Sequence, residues 1–368
     1  MIARYGFAAL LSGAFFLLPV ATSAQEAFWN SCSWQISQAT APAGNNRLYA
    51  VSANSRNDAW TVGTTRKNST FPLAEHWNGS AWSVVQTPVS PASLLGVLAV
   101  SANDVWAVGS QNARQFTTRP VAEHWDGISW SRIETPHGDG AFTSITAMSS
   151  SDIWAAGETA GSTLVEHWNG SAWKVTPSQT RQGAQNLLLG VSAISPSDAW
   201  AVGVFEQPGN YQTLIEHWNG AIWTIVPSPN QSVDSQLQSV VAINAHDVWA
   251  IGYASDGSGA SQPLAEHWNG SKWSIIPTPN LGGTAATFGA AAISGRDIWA
   301  VGEWVNGSTV NPYSMHWNGS AWSTVVPPNA GYSGLFGTGV IPGTRDLWGV
   351  GPGKPLGNSP PLIESLHC

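Results

Sequence analysis

The stretch LAEHWNGSAW, Leu73 to Trp82, sets a carboxylate and an imidazole side by side between two tryptophans. Taken alone, it has the ingredients of an acid-base site. It does not stand alone: Glu-His-Trp returns at 123–125, 166–168, 216–218 and 266–268, with Met-His-Trp at 315–317. A constellation copied along the whole chain is first of all a structural unit, and its period sets the architecture.

A second motif gives that period. An Asp, one apolar residue and a Trp, followed in most copies by Ala-Val-Gly, place their Asp at 58, 104, 152, 198, 247, 297 and 346. The intervals are 46, 48, 46, 49, 50 and 49 residues. Short apolar runs and turn residues at a period in the forties predict propeller blades. Each repeat reads as four strands, such as LYAVSA, DAWTVG, LAEHW and SAWSVV, with prolines stopping the outermost strand. The Asn-Gly between third and fourth strands predicts a two-residue hairpin turn. No segment after residue 24 shows sustained helical periodicity. The expected fold is all-β: a single seven-bladed β-propeller, residues 25–368, with four antiparallel strands per blade.

The seventh repeat supplies DLWGVG and LIESLHC and then ends, while FWNSCSWQIS, Phe28 to Ser37, matches HWNGSAWSVV of the other repeats. The N-terminal strand is therefore expected to complete the last blade and close the ring. Alignment of the copies brings Cys32 and Cys368 together where other blades carry Asn-Gly, so a disulfide there would stand in for the missing covalent turn.

Tryptophan supports the same count. Of 22, three per repeat account for all but Trp304. Each indole buries about 150–250 Å², so their recurrence reads as packing between sheets. Adjacent strand residues point to opposite faces, so Glu75 and His76 do not form a dyad by adjacency. Asp58 opens its strand at the same blade end as His76 and the Asn-Gly turn, and a hydrogen-bonded corner tying Asp58 to His76 or to turn amides, likewise in the other blades, is the economical reading.

The DxWAVG strand followed by a hairpin ending in Trp resembles the repeats of bacterial secreted propellers, including Asp-box (sialidase-type) and photosystem-assembly-factor-type propellers. The resemblance covers residues 25–368 and implies blades rather than a chemistry. The turn departs from the Asp-box pattern Ser-x-Asp-x-Gly-x-x-Trp in having Asn-Gly in immediate succession.

Residues 1–24 have the layout of a secretory signal peptide: Arg4, an apolar run from Phe7 to Val20 and small residues before a cut after Ala24. The chain is expected to be secreted or periplasmic, with no later run long enough for a membrane span. Removing the leader takes the net charge from −8 to −9 by the loss of Arg4. An acidic surface without a basic run excludes nucleic acid as a partner. No metal spacing, phosphate loop or cofactor fingerprint is present, so no cofactor is expected, and a monomer is.

Once the scaffold is subtracted, the loops that join second to third strands, and one blade to the next, share a face and vary in composition. There Trp304, Glu303 and Tyr313 in GEWVNGSTVNPYS, Tyr253 in blade five and Tyr332 between blades six and seven form an aromatic arc with a carboxylate. Arg66, Lys67, Arg114, Arg119 and Arg181 form a basic arc elsewhere, read as a solvated rim; His137 and Glu158 are isolated titratable candidates. The arc predicts a non-catalytic binding module with a carbohydrate ligand. The alternatives are a glycoside hydrolase or lyase using Glu158 and Glu206, and an extracellular scaffold with a protein partner.

Overall fold

The computed structural model describes residues 32–40, 42–112, 118–182, 185–329, 331, 334–354 and 359–368. The expected leader and Phe28–Ser31 lie outside them. Seven four-stranded antiparallel sheets follow one another, at 45–84, 92–133, 141–175, 185–225, 234–275, 284–324 and, for the seventh, 337–367. Strand order within a sheet is sequence order, except in the seventh, where Ser33–Ser37 pairs with Leu362–His367 as the outermost strand. The register Ser33↔His367 to Ser37↔Ile363 is the closure that the alignment predicts. Cys32 and Cys368 are both disulfide-bonded.

The second strand of each blade is walled by its neighbours, and Ala59 to Thr65 are buried without interruption. That is why DAWTVG carries no alternation: a strand covered on both faces reads as one apolar run. Its indole forms the seam to the next blade. Trp60 packs 4.9 Å from Trp125 and 5.2 Å, edge-on, from Trp130 of blade two. Trp154 repeats this at 5.0 and 5.4 Å against Trp218 and Trp223. Trp348 of blade seven meets Trp77 and Trp82 of blade one at 5.4 and 5.2 Å, so the last seam uses the same contacts as the others. The closing strand has one addition. The Trp34 indole donates a 3.0 Å hydrogen bond to Ser314 of blade six, where the equivalent residues Ala74, Ala122, Val165, Ile215 and Ala265 offer no hydroxyl.

The expected two-residue hairpin turn is not what forms. Trp77 pairs with Trp82, which leaves four residues, 78–81, in the loop. Asn78 Oδ1 accepts from the amides of Ser80 and Ala81, both at 3.0 Å, and only Gly79 takes positive φ, at 92°. Asn acts here through its side-chain carbonyl, as in an Asx turn, and not through a left-handed backbone.

One glycine shapes the channel. Leu48 pairs with Gly63 and Ala50 with Val62, so Tyr49 of the innermost strand is an extra, unpaired residue. A Cβ on Gly63 would lie 1.8 Å from the carbonyl oxygen of Arg47. The Gly that ends DAWTVG is thus required because the bulged neighbour presses its backbone onto it, and the bulge turns Tyr49 towards the axis.

Candidate functional site

The repeated Glu-His pair is divided between two structural tasks. His76 Nε2 lies 2.8 Å from Asp58 Oδ1 and its ring stacks on Trp60 at 4.5 Å. Five further blades repeat the pair at 2.7 to 2.9 Å, from Asp104–His124 to Asp297–His316. In blade seven, Asp346 instead takes Arg56 at 3.2 Å, with His367 at 3.6 Å.

The glutamates face the other way, into the seam with the preceding blade, and Glu75, Glu123, Glu166, Glu216, Glu266 and Glu364 are fully buried. Glu75 accepts the amide of Thr40 and Glu123 that of Val89, each from the segment entering its own blade. Burial pushes Glu75, Glu123 and Glu166 up to about 7 and Glu216, Glu266 and Glu364 up to about 8. No ligand reaches these carboxyls from solvent, so they belong to the scaffold.

A cavity forms instead where the bulges converge. Tyr49, Leu95, Thr143, Leu189, Gln238 and Phe288 are the unpaired bulge residues of blades one to six. Phe336, just before the first strand of blade seven, joins them. Together with Glu303 they line a cavity of 390 Å³ at the channel mouth, over a narrower axial space of 220 Å³. The bulges lie near the start of each innermost strand, on the face of the variable connections. The aromatic members adjoin: Tyr253–Phe288 at 6.2 Å, Phe288–Phe336 at 5.4 Å and Tyr49–Phe336 at 6.0 Å. Glu303 is half-buried, and burial raises its pKa. The Tyr253 hydroxyl donates to Gln236 Oε1 at 3.2 Å, and its pKa is raised by burial first and then by the Glu303 charge.

The expected arc is divided by this geometry. Glu303 lines the mouth, and Tyr253 packs against Phe288 beside it. Trp304, next to Glu303 on the strand Asp297–Asn306, takes the opposite face: it packs into the seam between blades five and six and donates to the carbonyl of Gly282 at 2.9 Å. Tyr313 is 1% exposed within the same seam, its hydroxyl pushed up to about 12 by burial. Tyr332 and Arg114 lie outside the described residues. The sequence reading missed the bulge ring, although the recurring glycine of DxWAVG is the signal that marks it.

Of the other loop candidates, Arg66 shares a cavity of 230 Å³ with Arg47 and the mouth residue Tyr49, and none of them lines the mouth cavity itself. Arg66, Lys67, Arg119, Glu158 and Glu206 are exposed. Arg181 lies over the Phe205 ring at 4.3 Å, and with Gln185 and Glu206 it lines an open groove of 730 Å³ between blades three and four. His137 holds the carbonyl of Asp139 at 2.7 Å. Among the described residues no helix is long and apolar enough to cross a membrane.

Fold and mouth define a seven-bladed β-propeller with a side-chain-lined axial cavity. No family model matches the chain, and no curated protein matches it. Solved structures similar in fold include YCF48 from Cyanidioschyzon merolae, at 15% identity and TM-score 0.57 over 91% of this chain and 98% of that one. A structure of YCF48 bound to D1 peptide gives 15% and 0.57 over 90% and 96%. A polysaccharide lyase of family PL25, an ulvan lyase bound to -[GlcA(1-4)Rha3S]-, gives 9% and 0.62 over 89% and 95%. At these identities the likeness is one of fold.

Proposed function

We propose that this is an exported, non-catalytic propeller that binds an extracellular ligand, a glycan or a segment of another protein, through a group inserted into the channel mouth. The observation that carries the reading is the bulge ring, in which the blades aim non-equivalent side chains into one cavity where a packed scaffold needs none. Hydrocarbon from Leu95, Leu189, Phe288 and Phe336 stands beside the hydroxyls of Tyr49 and Thr143 and the amide of Gln238, a composition suited to an amphipathic group. The solved neighbours bound to a peptide and to a sulfated saccharide are consistent with either class. Two side chains of the expected arc, Trp304 and Tyr313, drop out of this site, Glu303 remains in it, and Tyr253 packs against its Phe288. The test is a parallel glycan-array and peptide-library screen of the mature protein and of Phe288→Ala. A ligand held by the first and lost by the second, at unchanged melting temperature, supports the reading; ligands bound equally by both refute it.

A second reading is kept for the groove between blades three and four. Arg181, Gln185 and Glu206 there could contact a polysaccharide chain. Glycan cleavage abolished by Glu206→Gln would establish a hydrolase or lyase at that place.

A further inference from the structure

Resting on the channel-mouth reading, we propose that the mouth is a cation site, in which an arc of aromatic faces and one carboxylate receive a small alkylammonium ion of the choline type. Phe288, Phe336 and Tyr49 line the cavity in blades six, seven and one, and Tyr253 of blade five packs against Phe288. The planes of Tyr253 and Phe288 meet at 80° and those of Phe288 and Phe336 at 89°, whereas Phe336 and Tyr49 lie nearly parallel, at 7°. The near-right angle between Phe288 and Phe336, both of which line the cavity, makes these rings walls of a concavity rather than a flat stack. All four are half-buried.

The chemistry of these walls selects for charge. Phe288 and Phe336 have no hydrogen-bonding group, and an ordinary hydrated ammonium would lose water against them without replacement. An ammonium whose hydrogens are replaced by methyl groups has little to lose, and its charge is attracted by the negative faces of the rings. Glu303 enters the same cavity. Its carboxylate is partly removed from water, and the burial that raises its pKa is a cost that a bound cation relieves. No Lys or Arg side chain lines this cavity among the described residues. The acidic chain, at −8, adds a long-range attraction of the same sign. The cavity, 390 Å³, has room for a trimethylammonium group together with its short alkyl arm.

The probe pair is choline and 3,3-dimethylbutan-1-ol, which has the same shape without the charge, titrated calorimetrically into the intact mature protein at low salt. The expected result is saturable choline binding, at least about tenfold weaker binding of the neutral isostere, and at least about fivefold weakening by Phe288→Leu and by Glu303→Gln at unchanged melting temperature. Equal binding of the isostere overturns the cation assignment but leaves a mouth that binds ligands. Choline binding untouched by both variants places the cation elsewhere and also overturns it. If choline does not bind, while a glycan or peptide from the screen is lost in Phe288→Ala, the cation inference fails and the proposed function stands. If no ligand of any kind depends on Phe288, both fail.

Discussion

At the scale of single residues, the Glu-His adjacency shows how one dipeptide serves two environments. His76 turns to Asp58 at a half-exposed corner, while Glu75 enters a sealed seam. Six carboxyls held in such seams have pKa values pushed up to about 7 or 8 by burial. A carboxyl whose folded pKa exceeds its unfolded value binds more protons folded than unfolded. Its contribution is therefore fully present below about pH 4.5 and is lost progressively as pH rises through 7 to 8. The melting temperature of the mature protein is expected to be higher at pH 5 than at pH 8.5. Glu266→Gln should flatten that profile and raise stability at pH 8 by at least about 1 kcal/mol, since each pKa unit corresponds to about 1.4 kcal/mol. Blade six already carries the apolar counterpart, Met315, which is buried among Trp249, Ile251 and Ala265. An unaltered profile in Glu266→Gln, followed by circular dichroism melts, would count against a raised pKa in the seam.

At the scale of elements, the glycine closing each DxWAVG strand links scaffold to site. In blade four a Cβ on Gly203 would stand 2.0 Å from the carbonyl oxygen of Leu187, so Gly203→Ala must push the two strands apart. Overpacking of this kind costs about 1–3 kcal/mol or more, and denaturant unfolding of the variant is the check. Because Leu189 is the bulge residue beside this contact, the same substitution should also weaken whatever binds at the mouth. The strands themselves were legible from DxWAVG and HWNGSAW, and so was the Asp–His corner, because each is a local pattern repeated at a fixed phase. Side-chain direction in the loops was not legible. Glu303 and Trp304 are neighbours in sequence and part to opposite faces of their strand. The third-to-fourth turn was misjudged for a related reason: Asn-Gly as a dipeptide does not reveal whether Asn contributes its backbone or its side chain.

At the scale of the whole molecule, closure joins the two ends of the chain within one sheet. The register of Ser33–Ser37 against Leu362–His367 is reinforced by the Trp34–Ser314 hydrogen bond and by disulfide-bonded Cys32 and Cys368. In the chain-entropy model, a cross-link spanning a loop this long contributes on the order of 5 kcal/mol. A Cys32→Ser, Cys368→Ser double variant should melt well below the parent, and a reductant should lower the parent to a similar temperature. Ser314→Ala should add a smaller loss, about 0.5–1.5 kcal/mol, through the freed indole N–H.

The central claim is that binding occurs at the bulge-lined mouth and not on the turn face, and site-directed plugging of each face tests it. Leu189→Cys places a thiol at the mouth, and Ile222→Cys places one on the exposed Asn-Gly turn at the opposite blade end. Each is alkylated with a bulky maleimide, and binding of the screened ligand is then measured. Modification at position 189 is predicted to abolish binding while modification at 222 leaves it intact; the reverse pattern would contradict the account.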